Sequence, residues 1–265
     1  MFTDPWNDPR RALDTRRGSF RTSHSAAPAL IAVAHGSRDP RSAHTAAAAA
    51  DRLRQARPDL DVRLAFLDLN APSVLQVIDA VAAQGHRSAV VVPLLLGSAF
   101  HARVDLPGLL ATAAARHPQL RLVQADVLGA DPRLLDVARE RLADMGVDPC
   151  DPSVGVAVAA VGSSSAAANA DTADVAHRLG RRAAWLVESC FATAAPSLAT
   201  AAAALRRRGA RRIVVAPWFL APGLLTDRLA ADDLPMAAPI GPHPLLAAVI
   251  LDRYRAATTL LATAA

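Results

Sequence analysis

The chain has 265 residues, of which 52% are hydrophobic and 20% are charged, so it is long and apolar enough to bury a large core. Lysine and arginine outnumber aspartate and glutamate by 29 to 24. No basic stripe with interleaved aromatic residues occurs, so we expect no nucleic acid as a partner. No apolar run reaches the roughly 18 residues that cross a bilayer, so we expect no membrane partner either.

The N-terminal segment differs in composition from the rest of the chain. Its sequence, "MFTDPWNDPRRALDTRRGSFRTSHSAA", is rich in Pro, Arg and Ser and lacks the apolar centre of a signal peptide. We therefore expect residues 1–27 to form a disordered tail and the protein to be cytoplasmic. Cys150 and Cys190 have no metal-ligand spacing, which favours two reduced thiols.

After this tail, short apolar runs alternate with helical patterns. Asp39 is a good N-cap followed by a proline, so the first helix is predicted to begin there and to reach about Ala56. Further helices are predicted over 70–85, with Pro72 in the first turn, and over 131–146. The strands are predicted over 29–34, 61–69, 88–97 and 120–129. This alternation indicates a parallel sheet in an α/β fold.

The pattern then restarts in the second part of the chain. The segment "PSVGVAVAAVGSSS" (152–165) resembles "PALIAVAHGSRD" (28–39), and "GARRIVVAPWFLAPG" (209–223) resembles "GHRSAVVVPLLLGSA" (85–99). A third pair of similar segments follows, "IGPHPLLAAVILDRY" beside "LGADPRLLDVARERL". Such self-similarity indicates two copies of one structural unit.

We therefore predict an α/β fold with two similar halves, each a four-stranded parallel sheet flanked by helices. The N-terminal half spans 28–148 and carries the candidate site, and a degenerate C-terminal repeat spans 149–265. The joint is placed near "MGVDPCDPS", where glycine and prolines cluster. Because both halves belong to one chain, we expect a monomer.

Two histidines stand where chemistry is expected in such a fold. His35 ends the first strand in "LIAVAHGSRDP", and His101 follows the third strand in "GSAFHAR". The repeat has Val161 and Leu225 in their places, so the fold itself requires neither histidine. Strands one and three are neighbours in a doubly wound sheet, and ligands bind beyond their carboxyl ends. Because imidazole binds divalent transition metals and accepts protons near neutral pH, we predict a catalytic, metal-handling pair.

Other polar residues flank this pair. Asp68 ends the second strand in "FLDLNAP" and is a candidate to join the same cleft as a metal ligand. Arg38, Arg41 and Arg103 lie beside the histidine loops, and guanidinium groups bind carboxylates in bidentate fashion.

The loop "HGSRDP" does not match the common catalytic loops. It lacks the glycines and the lysine of a phosphate-binding loop, and Ser37 has no nucleophile elbow around it. Gly36 and Ser37 are expected to shape the turn or to offer N–H groups to an anion at the helix start.

At "VAHGSRDPRS", "FLDLNAPS" and "VVPLLLGSAFHARVDLP" the sequence resembles the sirohydrochlorin chelatase family, which includes ferrochelatases and early cobalt chelatases of cobalamin synthesis. The likeness covers 29–145 well and 153–258 as a degenerate second copy. It implies two four-stranded α/β halves that face each other across a cleft, with no organic cofactor. The family's two histidines correspond to His35 and His101. Members commonly have glutamate where this chain has Asp68, one methylene shorter.

The resemblance implies a metal chelatase, a lyase that inserts a divalent metal into sirohydrochlorin, with Fe²⁺ and siroheme synthesis favoured. The tetrapyrrole substrate carries many carboxylates, for which we expect the binding residues Gly36, Ser37, Arg38, Ser98 and Arg103. Insertion of Co²⁺ for cobalamin synthesis is one alternative. Another, of a different class, is a protein that binds a metal or a tetrapyrrole without catalysis.

Overall fold

The computed structural model describes residues 27–97 and 104–263. Over these residues the chain forms seven strands and eight helices. The first unit comprises β1 (Ala29–Ala34), α1 (Pro40–Ala56), β2 (Val62–Phe66), α2 (Val74–Ala83), β3 (Ser88–Pro93), α3 (Leu106–Arg116), β4 (Arg121–Gln124) and α4 (Pro132–Ala143). The second unit comprises β5 (Val154–Ala160), α5 (Ala166–Gly180), β6 (Leu186–Phe191), α6 (Leu198–Arg207), β7 (Arg212–Pro217), α7 (Leu224–Ala230) and α8 (Pro244–Thr263).

Both units are built around parallel sheets, which confirms the α/β fold class. The first sheet has the order β2-β1-β3-β4 and the second β6-β5-β7, with every neighbouring pair parallel. The chain therefore winds outward from β1 in one unit and from β5 in the other. The strands are formed by apolar runs because helices cover both faces of each sheet, and β5 is buried along its whole length.

The second sheet has three strands among the described residues, whereas the repeat predicts four. Where the fourth is expected, a single parallel bridge joins Met236 to Val215. Val215 donates its N–H to Pro235 O (2.8 Å), and Ala237 donates to Val215 O (2.9 Å). The next two donors of this ladder would be the N–H groups of residues 217 and 239, and both residues are prolines. Proline has no N–H, so the pairing stops after one bridge.

Local capping sets where the helices begin. Asp39 accepts a hydrogen bond from the Arg41 N–H and caps α1, as the sequence predicts. The second helix begins at Val74, later than predicted, because Ser73 forms a capping box with Gln76. Pro72 therefore precedes the helix and does not lie in its first turn.

The two units exchange their last helices. Helix α8, from the second unit, packs on α1, β3 and β4, whereas α4, from the first unit, packs on α5 and β7. The two helices run antiparallel: Arg133 near the start of α4 binds Asp252 of α8 (2.6 Å), and Glu140 near its end binds His243 (3.0 Å) just before α8 begins.

This exchange gives the protein one core that crosses both units. A single buried cluster contains Leu30 and Val92 of the first sheet together with Val156 of the second and Tyr254 of α8. The predicted division at 148 and 149 falls in the connection between α4 and β5, but the packing continues across it. Each sheet therefore depends on a helix from the other unit to cover one of its faces.

Two further expectations concern the N-terminal tail and membrane-spanning helices. Residues 1–26, nearly all of the predicted tail, lie outside the described residues. Among the helices that the structure describes, none is long and apolar enough to cross a membrane.

Candidate active site

A wide cleft lies between the two units, at the carboxyl ends of both sheets. Its volume is about 1070 Å³. The loops after β1, β3 and β4 line it from the first unit, and the loops after β5 and β7 line it from the second, with parts of α1 and α5. Ligands bind at this edge of parallel sheets because the chain leaves neighbouring strands in opposite directions there. The sequence predicts a cleft in this place.

His35 lies on the first-unit wall of the cleft. It follows the last residue of β1, and its ring is half-buried. The ring Nδ1 lies 3.2 Å from the Gly36 carbonyl oxygen, and the His35 carbonyl accepts the N–H of Asp68 at 3.0 Å. The backbone of His35 is thus fixed by the end of the sheet, while its side chain borders the cleft.

Gly36 turns the chain away from the strand in a conformation that needs glycine. Its φ is 97°, in the left-handed region. A Cβ at this position would lie 1.8 Å from the Asp68 carbonyl oxygen, so the loop after β2 leaves no room for a side chain. Gly36 therefore determines how closely the His35 loop packs against its neighbour.

Ser37 completes the turn through two hydrogen bonds. Its N–H donates to Asn70 Oδ1 (2.7 Å), and its Oγ accepts the Asp39 N–H (3.0 Å). The Ser37 N–H is therefore occupied within the protein, so of the two expectations for this loop the contacts favour shaping the turn. Sequence reasoning missed Asn70; the polar run "DLN" at a strand end was the signal that could have identified it.

Asp68 is held close to His35 by its backbone, but its carboxylate has a local partner. The Leu69 N–H donates to Asp68 Oδ1 at 2.7 Å, and Asp68 is exposed. Among the described residues that line the cleft, Leu69 is present and Asp68 is not. A role for Asp68 as a metal ligand stays a prediction.

The arginines beside the His35 loop have different surroundings. Arg38 is exposed and lines the cleft. Arg41 instead binds two carboxylates, Asp39 of its own helix cap and Asp227 of α7 in the other unit. These hydrogen bonds hold the pKa of Asp39 below its ordinary value and raise that of Arg41.

The remaining predicted residues follow β3 in the sequence. Ser98, His101 and Arg103 lie outside the described residues, so their predicted roles stay predictions. Within 27–97 and 104–263, no group of three or more His, Cys, Asp or Glu side chains is arranged to hold a metal ion.

The opposite wall of the cleft is largely apolar. Val161 follows β5 as His35 follows β1, and it is 45% exposed. Leu69 (51%) and Leu224 (61%) are also exposed and line the same cleft. Large hydrophobic side chains in open positions indicate a ligand with apolar faces. Sequence reasoning missed Leu69, in the loop after β2, and Leu224, the first residue of α7, because the sequence does not show which leucines are exposed.

The cleft between two parallel sheets, with His35 on its wall, is the architecture that the resemblance to the chelatases implies, and comparisons with known proteins identify the family. The family model described as CbiX matches residues 29–145 and 155–257. The chain is 32% identical over 209 residues to a sirohydrochlorin ferrochelatase of Priestia megaterium, with 77% of each protein covered. It is 26% identical over 243 residues to a sirohydrochlorin cobaltochelatase of the same organism, covering 84% of this chain and 78% of that protein.

A solved structure shows the same architecture. The chain superposes on SirB from Bacillus subtilis with Fe³⁺ with a TM-score of 0.74 and 25% identity, covering 88% of this chain and 96% of that one. The chain belongs to the CbiX family, the sirohydrochlorin chelatases, and is a metal chelatase. The resemblance stated from its histidine motifs is confirmed.

Proposed function

We propose that this chelatase inserts Fe²⁺ into sirohydrochlorin and so forms siroheme. The observation that carries the proposal is the cleft, in which His35 lies on one wall and an apolar surface on the other. The relative with 32% identity, named a sirohydrochlorin ferrochelatase, supports iron as the metal. We further propose that the protein is cytoplasmic and monomeric.

The walls of the cleft suit a flat macrocycle with charged substituents. Leu69, Val161 and Leu224 contact the apolar faces of the ring, which removes their exposed surface from water. Arg38 binds carboxylates at the periphery of the ring. The second unit thus contributes Val161 and Leu224 to the apolar contact, and the first unit contributes Leu69 together with His35 and Arg38.

Metal insertion requires the metal to shed water, the ring to bend and two pyrrole N–H protons to leave. In our proposal His35 and His101 hold the metal ion through neutral imidazole nitrogens. As the metal passes to the ring, one released imidazole nitrogen accepts one pyrrole proton and the second proton leaves to solvent water. Gly36 and Ser37 position His35, and Ser98 and Arg103 bind substrate. Asp68 is a further ligand only if its carboxylate leaves the Leu69 N–H. The reaction needs no organic cofactor.

Cobalt insertion is the second candidate. The relative with 26% identity that covers 84% of this chain is named a cobaltochelatase. Imidazole binds both metals, and affinity by itself favours Co²⁺ over Fe²⁺. The selectivity must therefore arise from how the cleft presents the metal to the ring.

The experiment that tests the proposal is anaerobic incubation of the purified protein with sirohydrochlorin and either Fe²⁺ or Co²⁺, followed by absorbance. We expect Fe²⁺ insertion to be the faster reaction. A faster reaction with Co²⁺ contradicts the preference for iron and favours the second candidate, cobalt insertion. Binding of sirohydrochlorin without insertion of either metal would show a non-catalytic tetrapyrrole carrier and contradict the proposal.

A further inference from the structure

An ion pair joins the two units at the rim of the cleft. On one side Ser42 and Thr45 of α1 line the cleft, and on the other side Leu224 and Thr226 of α7 do so. The neighbours of these residues, Arg41 and Asp227, bind each other across the rim. The two rims approach closely, since a Cβ on Gly223 would lie 3.9 Å from the Asp39 Cβ. We call the Arg41–Asp227 pair the rim latch.

Arg41 is held in place by a carboxylate of its own unit. Its Nε donates to both oxygens of Asp39 at 3.1 Å, and its Nη2 donates to Asp39 Oδ2. Asp39 is buried, with 7% of its surface exposed, and it also caps α1. The guanidinium group is thus oriented before any ligand arrives, which lowers the entropic cost of binding one.

The outer edge of this guanidinium group is only half used. Asp227 accepts from Nη2, whereas Nη1 forms no hydrogen bond to any residue in the described ranges. A carboxylate that binds the outer edge in bidentate fashion needs both Nη1 and Nη2. Such a carboxylate must therefore replace Asp227 on Nη2.

The same sequence motif occurs a second time, and there the outer edge of the arginine guanidinium group is occupied by a carboxylate on Nη1. Asp131, Pro132 and Arg133 repeat the order Asp-Pro-Arg at the start of α4. Arg133 also binds back to its capping aspartate through Nε and Nη2, but its Nη1 is taken by Asp252 of the other unit at 2.6 Å. We call this arrangement of Asp131, Arg133 and Asp252 the second staple. It joins α4 to α8 and not the two rims of the cleft, so it provides a control for the loss of a paired charge.

We propose that Arg41 is a carboxylate-binding residue of the cleft rim, and that Asp227 occupies it until a carboxylate of the tetrapyrrole takes the place of Asp227. The inference rests on the proposed function, because the incoming ligand is a carboxylate of the substrate. Asp227 is a positioning residue that acts through Arg41. Because the substrate carboxylate must displace it, Asp227 lowers the affinity of the cleft for the substrate. Its charge also repels anions that do not displace it.

The test measures binding of metal-free sirohydrochlorin to the full chain by anaerobic absorbance titration. Asp227→Asn keeps the shape of the side chain and removes the competing charge, so we expect the Kd to fall by about three- to fivefold. In the wild type, salt weakens both the Arg41–Asp227 pair and the substrate contact that replaces it, so the two effects partly cancel. In Asp227→Asn salt weakens only the substrate contact, so the affinity of this variant falls more steeply with salt. Asp252→Asn, which removes the same charge from the second staple, leaves the Kd and the salt dependence unchanged.

A second comparison separates displacement from simple charge repulsion. Arg41→Lys keeps a cation beside the buried Asp39 but loses the bidentate edge. In the Arg41→Lys background, Asp227→Asn gives no gain in affinity if the latch acts through the guanidinium edge. An equal gain in both backgrounds would mean that Asp227 only repels the substrate, and it would overturn the proposal. Thermal melting of each variant shows that the fold is retained.

The outcomes separate this inference from the proposed function. Tighter binding by Asp227→Asn without metal insertion by the wild type supports the latch and contradicts chelatase activity. Normal insertion by the wild type with an unchanged Kd for Asp227→Asn contradicts the latch alone. If the wild type does not bind sirohydrochlorin, both proposals are wrong.

Discussion

The loop after β1 and the loop after β5 have the same frame and different chemistry. Gly36 and Gly162 have φ values of 97° and 91°. Ser37 and Ser163 each donate an N–H to an asparagine Oδ1 and each accept the N–H of the following helix cap. Because this frame is retained in the absence of a histidine, the structure of the loop does not require His35, which supports the proposal that its role is functional.

The asparagines that support the two loops come from different elements. Asn70, which supports Ser37, comes from the loop after β2, whereas Asn169, which supports Ser163, comes from helix α5. The second copy has "FATAAPS" where the first has "FLDLNAPS", so it is one residue shorter and lacks that asparagine. The half-buried serine N–H has an asparagine Oδ1 as its acceptor in both loops, although the two asparagines come from different elements.

The largest expected effect is on activity. His35→Ala removes a metal-holding imidazole, so we expect insertion to slow by at least about a hundredfold. His101→Ala has a similar effect, and the double variant is little worse than either single one, because the residues act as a unit. Melting temperatures stay near that of the wild type, since Val161 shows that the frame accepts an apolar residue.

The matched control is His44→Ala, an exposed histidine of α1 that is not among the residues lining the cleft. It keeps wild-type activity. Insertion assays and thermal melts are run on both variants. Full activity in His35→Ala would show that insertion does not need His35, and unfolding of that variant would show that His35 is structural.

The next effect is on stability and distinguishes the two glycines. Gly36→Ala forces a Cβ to within 1.8 Å of a backbone oxygen, whereas in Gly162→Ala the nearest atom is the Phe191 Cβ at 2.9 Å. Both variants place alanine in the left-handed region. We expect Gly36→Ala to lower the free energy of unfolding by about 2–4 kcal/mol and Gly162→Ala by less. Urea denaturation measures both, and equal losses would contradict the tighter packing of the first loop.

A smaller effect comes from the supporting asparagines. Asn70→Ala leaves the Ser37 N–H without its partner, and Asn169→Ala does the same for Ser163. Each change should cost about 1–2 kcal/mol in the free energy of unfolding. Asn70→Ala should also slow metal insertion more than Asn169→Ala, because it loosens the loop that carries His35. A larger loss of activity in Asn169→Ala would place the reacting centre on the second unit.

The smallest effect is on acid stability. Hydrogen bonds from Arg41 hold the pKa of Asp39 below its ordinary value, so this pair stabilises the fold above about pH 4 and is lost as the pH falls through the lowered pKa. Asp39→Ser, which introduces the cap residue of the second unit, is therefore less stable than the wild type at pH 7, and the difference shrinks below about pH 4.

Ser165→Ala is the control for this experiment. Ser165 caps α5 without a charge, so its loss should cost the same across that pH range. Denaturation curves from pH 7 to pH 3 compare the two variants. A pH-independent difference for Asp39→Ser would mean that the pair with Arg41 contributes nothing beyond the cap.

Much of the fold follows from local patterns in the sequence. The first strand and the first helix have the predicted bounds, because a continuous apolar run and an Asp-Pro cap are strong local signals. Strands two, three and four end earlier than predicted, at Phe66, Pro93 and Gln124. Apolar residues continue past these strands because the following loops line the cleft or the core, and hydropathy does not separate a buried loop from a strand.

The sequence by itself determined the repeat, the parallel sheets and the placement of His35 at a strand end above the cleft, because apolar runs, helix caps and motifs within short segments signal each of them. Only the tertiary structure decided the exchange of α4 and α8, the support of Ser37 by Asn70 and the pairing of Arg41 with Asp227. These contacts join residues far apart in sequence, and Asn70 is an ordinary polar residue in a loop. Their partners are chosen by packing and by the need to satisfy buried polar groups, which no local pattern records.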